Sequence, residues 1–344
     1  MVIARTREKV EVNKRRIING QDADVVQLHP MKHTFAWEAY NVGNANHWLP
    51  TEINMQLDIE QWKAKDILSE DERHALKTVL GFFTTADSIV ANNIVLSLYK
   101  HITSPECRLY MLRQAYEEAV HTHAYQYIVE SLGLDGSEIF NMYREVDSIY
   151  KKATFCDAFM DGILDPNFKT GTFANDQKFL ENLIVFAIIM EGIYFYSSFA
   201  VMFSFQRQHK MVGSAEQIQY IMRDESMHLN FGIELINSIK QEQPELWTPE
   251  FQEHILTLVK EAVDLEVTFA TTCFPKGIFG INAESFRKYI EHIADRRLQR
   301  IGLPVQYGSQ NPFPWMSEAV DLNKEKNFFE TRVTEYQTGG TLAW

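Results

Sequence analysis

Apolar positions recur along this chain with the spacing of amphipathic and fully apolar helices, and no stretch keeps the strict alternation of a half-buried strand. The pattern predicts helices over about 70–101, 104–133, 137–150, 177–207, 214–240, 248–273 and 283–301. Boundary residues support these limits. Ser69 followed by Glu72 forms a capping box, Pro105 and Pro249 suit a first helical turn, and Gly133 suits a helix stop. The expected organisation is an irregular arm over 1–50, an all-α domain over 51–305, and an extended tail over 306–344. A loop is expected from Asp161 to Asn175, and Pro304, Pro312 and Pro314 mark the change to the tail.

Two of these helices are apolar enough to resemble membrane spans. Leu183 to Phe205 has one charged residue, Glu191, in 23 positions, and Val79 to Tyr99 has one, Asp87, in 21. A lone carboxylate at mid-span is costly in lipid, and no Lys/Arg bias marks either flank. The reading is therefore two helices at the centre of a large bundle, with no membrane partner. Each then poses the same question: why a greasy helix carries a single acid near its middle.

Composition narrows the function classes. The 344 residues are 45% hydrophobic, which supplies a large core, and carry 33 Lys+Arg against 46 Asp+Glu for a net charge of -13. That balance argues against a nucleic-acid partner. Cys107, Cys156 and Cys273 are too far apart for a thiolate metal motif, and their scarcity and the absence of an apolar signal core predict a cytoplasmic protein.

Only two of the 11 histidines have glutamate three residues earlier, in Glu118-x-x-His121 and Glu225-x-x-His228. On a helix, residues i and i+3 share a face. Each pair also follows one of the greasy helices, Asp87 lying 31 residues before Glu118 and Glu191 34 before Glu225. One such pair is an ordinary helix-surface feature. The same unit written twice, with two buried acids, predicts the dinuclear site of a ferritin-like helical bundle. Oxygen ligands suit iron or manganese, imidazole adds affinity, and two cations make four buried carboxylates tolerable. Tyr125, four residues beyond His121, shares the ligand face, while Phe195, Phe199 and Ile221 flank Glu191 and Glu225 with apolar surface.

With these residues in hand, the chain resembles the small, radical-generating subunit of class I ribonucleotide reductase over nearly its whole length, from Trp48-Leu49-Pro50-Thr51-Glu52 to the tail. The resemblance implies one metal on Asp87, Glu118 and His121 and a second on Glu191, Glu225 and His228. It makes Tyr125 the radical tyrosine, with Phe195, Phe199 and Ile221 as its protective pocket. It also implies that Asp224, in Arg223-Asp224-Glu225, links a histidine ligand to Trp48, and that Tyr336, in Glu335-Tyr336-Gln337, passes the radical onward. Thr341 to Trp344 resemble the peptide that docks on the large catalytic subunit, and a homodimer is implied.

Wording around the site is most similar to the chlamydial-type branch, which uses manganese and iron, with Glu at the first ligand and Phe at the radical position. Here Asp87 and Tyr125 occupy those places, so the expectation is Fe/Fe with a tyrosyl radical, Mn/Fe and Mn/Mn remaining open. Two other functions fit the same fold: a stand-alone R2-like ligand-binding oxidase or other two-metal oxidase, for which the tail has no purpose, and ferritin-type iron storage.

Overall fold

Eleven α-helices form the body of the computed structural model, which describes residues 11–20 and 27–316. They are α1 Thr34–Ala45, α2 Gln56–Lys63, α3 Glu70–Asn92, α4 Pro105–Leu132, α5 Gly136–Glu145, α6 Asp147–Leu164, α7 Phe173–Ile184, α8 Phe195–Arg207, α9 Val212–Glu242, α10 Pro249–Cys273 and α11 Ala283–Arg300. Among the described residues no strand forms; Ile18 with Ile102 and Ile278 with Ile281 make isolated bridges. The caps act where the sequence put them. Ser69 accepts from the Glu72 N–H and Glu72 answers the Ser69 N–H, Thr248 caps α10, and Gly133 ends α4 in the left-handed region at φ 65.

Three stretches depart from the sequence expectation. The supposedly irregular arm contains α1, which packs on α4 and α9. The helix expected over 137–150 breaks at Val146, whose backbone is extended, and a new helix runs on to Leu164, into the expected loop. Both greasy helices also change their winding. α3 continues as a π-helical segment, Asn93–Leu98, and α7 joins α8 through a second one, Val185–Tyr194. π segments are rare and tend to sit at functional sites, because each re-aims the side chains that follow it. One of these contains Glu191.

α3, α4, the α7–α8 rod and α9 pack together at the centre. The rod, Phe173–Arg207, has an 18-residue window that is 100% buried, so its greasiness belongs to the protein core. Close approach is built into it: a Cβ on Gly232 of α9 would meet the Ala187 Cβ at 2.5 Å. The three cysteines are buried free thiols.

The segment before α1 is held by a buried charge cluster. Glu106 Oε1, at the start of α4, accepts the N–H groups of Lys32 and His33 at 2.9 and 2.7 Å. The His33 ring meets Ser104 Oγ at 3.0 Å and Glu242 Oε1, at the end of α9, at 3.0 Å. Glu242 also accepts from Lys32 Nζ at 2.7 Å and from the Ile17 N–H at 2.8 Å. Burial alone would lower the His33 pKa, but Glu106 and Glu242 raise it above 6.5. Burial would raise that of Glu106, but the His33 bonds bring it down to about 2. The histidine contribution to stability is therefore full below its unfolded value and lost as pH rises through the raised one. The Glu106 contribution is full above 4.5 and lost as pH falls toward about 2. A His33→Gln variant should lose most stability against wild type near roughly pH 5, with the gap closing toward roughly pH 8. Thermal midpoints across that range check this, and a gap independent of pH would refute it.

Candidate metal centre

Six side chains from four helical rods meet in the core. Asp87 comes from α3, Glu118 and His121 from one face of α4, Glu191 from the π-helical segment, and Glu225 and His228 from one face of α9; all are buried. They form two overlapping groups, each with one donor atom per residue all within 4.8 Å of one another. One is Asp87, Glu118, His121 and Glu225; the other is Glu118, Glu191, Glu225 and His228. Glu118 and Glu225 belong to both. Glu118 turns Oε1 to His228 Nδ1 at 3.1 Å and Oε2 to His121 Nδ1 at 3.5 Å. Glu225 does the reverse, Oε1 to His121 Nδ1 at 3.1 Å and Oε2 to His228 Nδ1 at 3.4 Å. The two sets of three implied by the family resemblance are thus joined by two carboxylates that reach both halves.

The outer ring nitrogens are held from behind. His228 Nε2 meets Glu117 Oε2 at 2.8 Å, and Glu117 is anchored by Arg113 at 3.0 Å. His121 Nε2 lies 3.4 Å from Asp224 Oδ2, the same oxygen that accepts the Trp48 indole N–H at 2.8 Å, while Arg223 holds Asp224 Oδ1 at 3.0 Å. A carboxylate on Nε2 keeps the proton there and turns the Nδ1 lone pair toward the centre. Asp224 thus lies between His121 and Trp48. Glu117 and Gln114, whose amide donates to Glu191 at 2.9 Å, were not anticipated. Their signal was present but faint, since Glu117 precedes Glu118 as Asp224 precedes Glu225.

Without cations the cluster is electrostatically unbalanced. Burial, then the charge of Glu118, drives the Asp87 pKa well above its usual range; burial, then Glu225, does the same to Glu191. Burial opposes the charged form of both imidazoles, yet the surrounding carboxylates raise His121 and His228 well above 6.5. Both oxygens of Asp87, Glu118 and Glu225, and Nδ1 of both histidines, make no hydrogen bond. Buried polar atoms are normally bonded. So many idle donors around one point, mostly oxygen with two imidazoles, fit a pair of divalent cations of the iron or manganese type.

Tyr125 is fully buried beside this cluster, with Asp87 as the polar neighbour of its hydroxyl. Burial first, then the negative charge of Asp87, pushes its pKa well above 10. Its ring stacks on Phe83, centroids 5.3 Å apart and planes parallel. Phe195 and Phe199 pack against Phe83, at 6.1 and 5.5 Å, and Ile221 is buried. Phe83 was missed in the sequence, although it lies four residues before Asp87 and so on the same helical face. Tyr336 and Thr341 to Trp344 lie outside the described residues.

An all-α bundle with four carboxylates and two histidines converging from its central helices defines a ferritin-like carboxylate protein of the two-metal class. The family model for "Ribonucleotide reductase, small chain" matches residues 25–312, and the protein belongs to that family. It is 57% identical to the ribonucleoside-diphosphate reductase subunit beta of Chlamydia pneumoniae, over 98% of its own length and 97% of that relative's. It is 31% identical to one of the ribonucleoside-diphosphate reductase small chains of Arabidopsis thaliana, over 92% of its own length and 86% of the plant protein's. The ribonucleotide reductase R2 subunit from Clostridium botulinum superposes with a TM-score of 0.83 at 25% identity, over 93% of the present protein and 97% of the clostridial one. This is a small subunit of an oxidoreductase.

Proposed function

We propose that this subunit holds two metal ions, iron in preference to manganese, and keeps a radical on Tyr125. Asp224, Trp48 and Tyr336 relay it to the large subunit, where ribonucleotides are reduced. The observation that carries the reading is the pair of buried donor groups sharing Glu118 and Glu225, with Tyr125 beside Asp87. Asp87, Glu118 and His121 would hold one ion and Glu191, Glu225 and His228 the other. When bound, the metal pair supplies the oxidising power that side chains lack.

The protein's own groups do the rest. Phe83, Phe195 and Phe199 are fully buried and keep water from the phenol. A phenol is neutral at neutral pH and burial keeps Tyr125 so; forming a neutral radical on it removes one proton as well as one electron. Burial opposes the ionised form of Asp224, but the His121 bond and the charge of Arg223 keep its pKa below the usual range. The ionised Asp224 then orients His121 and the Trp48 N–H through one oxygen. Manganese is the main competitor for the site. A Streptococcus sanguinis relative of the same fold, 19% identical, was solved as a dimanganese(II) protein.

A homodimer is supported by four exposed apolar side chains, two on the π-helical segment after α3 and two on α4. Val95, Leu96, Leu112 and Tyr116 are 52%, 51%, 53% and 46% exposed. A second copy packed across a two-fold axis would cover them. The tail over 306–344 is assigned to the large subunit, and the subunit to the cytoplasm.

Metal analysis of natively purified protein together with electron paramagnetic resonance tests the reading. About two ions per subunit and a tyrosyl signal are expected. A manganese-coupled spectrum would replace the metals, and protein that takes up no metal would remove the reading.

A further inference from the structure

A cavity of ≈ 560 Å³ opens between α1, α9 and α11, on the outer side of the metal centre. Its charge is opposite to that of the whole protein. Four arginines, Arg223, Arg296, Arg297 and Arg300, line it against two acids, Glu38 and Glu234, in a protein of net charge -13. Arg223 is spent on Asp224. The other three are not paired with any carboxylate among the described residues.

Arg297 is the unusual one. It is only 8% exposed, its Nε donates to the Gly192 carbonyl at 2.9 Å, and its guanidinium lies 4.4 Å over the Tyr196 ring. Its two outer nitrogens make no hydrogen bond among the described residues. Burial lowers its pKa; the neighbouring Tyr196 and Tyr289 hydroxyls oppose this, and Arg296 and Arg300 add to the lowering. Arg300 gives both outer nitrogens to the Asn230 amide oxygen at 3.1 Å, which leaves its charge uncompensated. The carbonyl end of α11 accounts for basic residues in its last turn. It does not account for three arginines gathered without a carboxylate partner around one cavity, an arrangement that something anionic would complete.

We propose that this cavity is a binding site for a small phosphate-bearing anion, held by Arg297, Arg296 and Arg300 against the Tyr196 and Tyr289 rings. The forked guanidinium matches a phosphate's oxygens two at a time. The volume suits a small organic phosphate, and the aromatic walls would receive its apolar part. Occupancy bears on the metal ligands at two points. The Gly192 carbonyl is one residue from Glu191. The Tyr196 hydroxyl, 2.6 Å from Ser226 Oγ, reaches the neighbour of Glu225. This coupling, which rests on the metal reading above, makes anion affinity depend on metal loading and the reverse by the same factor.

Isothermal titration of the full-length, metal-free protein with inorganic phosphate and, separately, phenyl phosphate tests the site. Saturable binding of about one anion per subunit is expected, weakened about tenfold or more in an Arg296→Gln/Arg300→Gln double variant, which keeps the Arg297–Gly192 bond. Tighter binding of phenyl phosphate supports the aromatic walls. No saturable binding of either probe, or equal affinity in the double variant, overturns the site. Repeating the titration with manganese-loaded protein tests the coupling alone, and unchanged affinity overturns it. Metal uptake is measured independently, so loss of the anion site leaves the metal reading standing.

Discussion

Replacing Tyr125 by Phe is expected to abolish the tyrosyl resonance and to lower ribonucleotide reduction by about three orders of magnitude, while metal content stays near two ions per subunit. Three features of the site make the expectation sharp. The phenol's polar neighbour is Asp87, a carboxylate grouped with the other metal donors, so its removal changes stability by about 1 kcal/mol or less. The parallel stack on Phe83 needs only the ring, which phenylalanine keeps. Nor does the donor set need the phenol, since Asp87, Glu118, His121 and Glu225 already offer donor atoms within 4.8 Å of one another. Resonance spectra, metal analysis and turnover with the large subunit, measured on the same preparation, decide the matter. Turnover that persists in the Phe variant would mean that the oxidising equivalent never resides on this residue. That is the behaviour implied by the chlamydial-type branch, where Phe stands at this position.

Tyr336→Phe should give the complementary result. The Tyr125 resonance and the metals remain, and turnover with the large subunit falls by a comparable factor. Phe keeps the size and apolar character of the residue but has no hydroxyl to lose a proton with an electron. A docking role for the side chain would therefore survive the change and a relay role would not. Removing residues 325–344 should have the same effect on turnover and leave the resonance intact. A stand-alone oxidase would instead keep its activity after that deletion. Full activity in Tyr336→Phe would take this residue out of the relay without touching the metal reading.

These two variants probe parts of the protein that were legible to different degrees. Glu118-x-x-His121 and Glu225-x-x-His228 could be read directly, because an i, i+3 pair inside a helix must share a face whatever surrounds it. Asp87 and Glu191 stood out for a related reason, as lone charges in segments otherwise apolar. The helix ends followed local chemistry and appear at Ser69, Gly133 and Thr248. By contrast, the only local mark of Glu117 is faint, a place before Glu118 like that of Asp224 before Glu225. Glu117 becomes the partner of His228 only because α4 and α9 pack with a particular rotation. Phe83 likewise acquires its place over Tyr125 from the contact between α3 and α4.

The sequence by itself determined an all-α body, two buried acids, two Glu–His pairs and the order in which they occur, since helical periodicity and side-chain chemistry are properties of short segments. Only the tertiary structure decided that α1 folds within the arm, that Glu191 rides on a π-helical segment, that Glu118 and Glu225 serve both halves of one centre, and that Arg297 of α11 reaches the Gly192 carbonyl. Each of these depends on backbone hydrogen-bond register or on the rotation of one helix against another. Packing sets those quantities among residues far apart in sequence, and no local pattern encodes them.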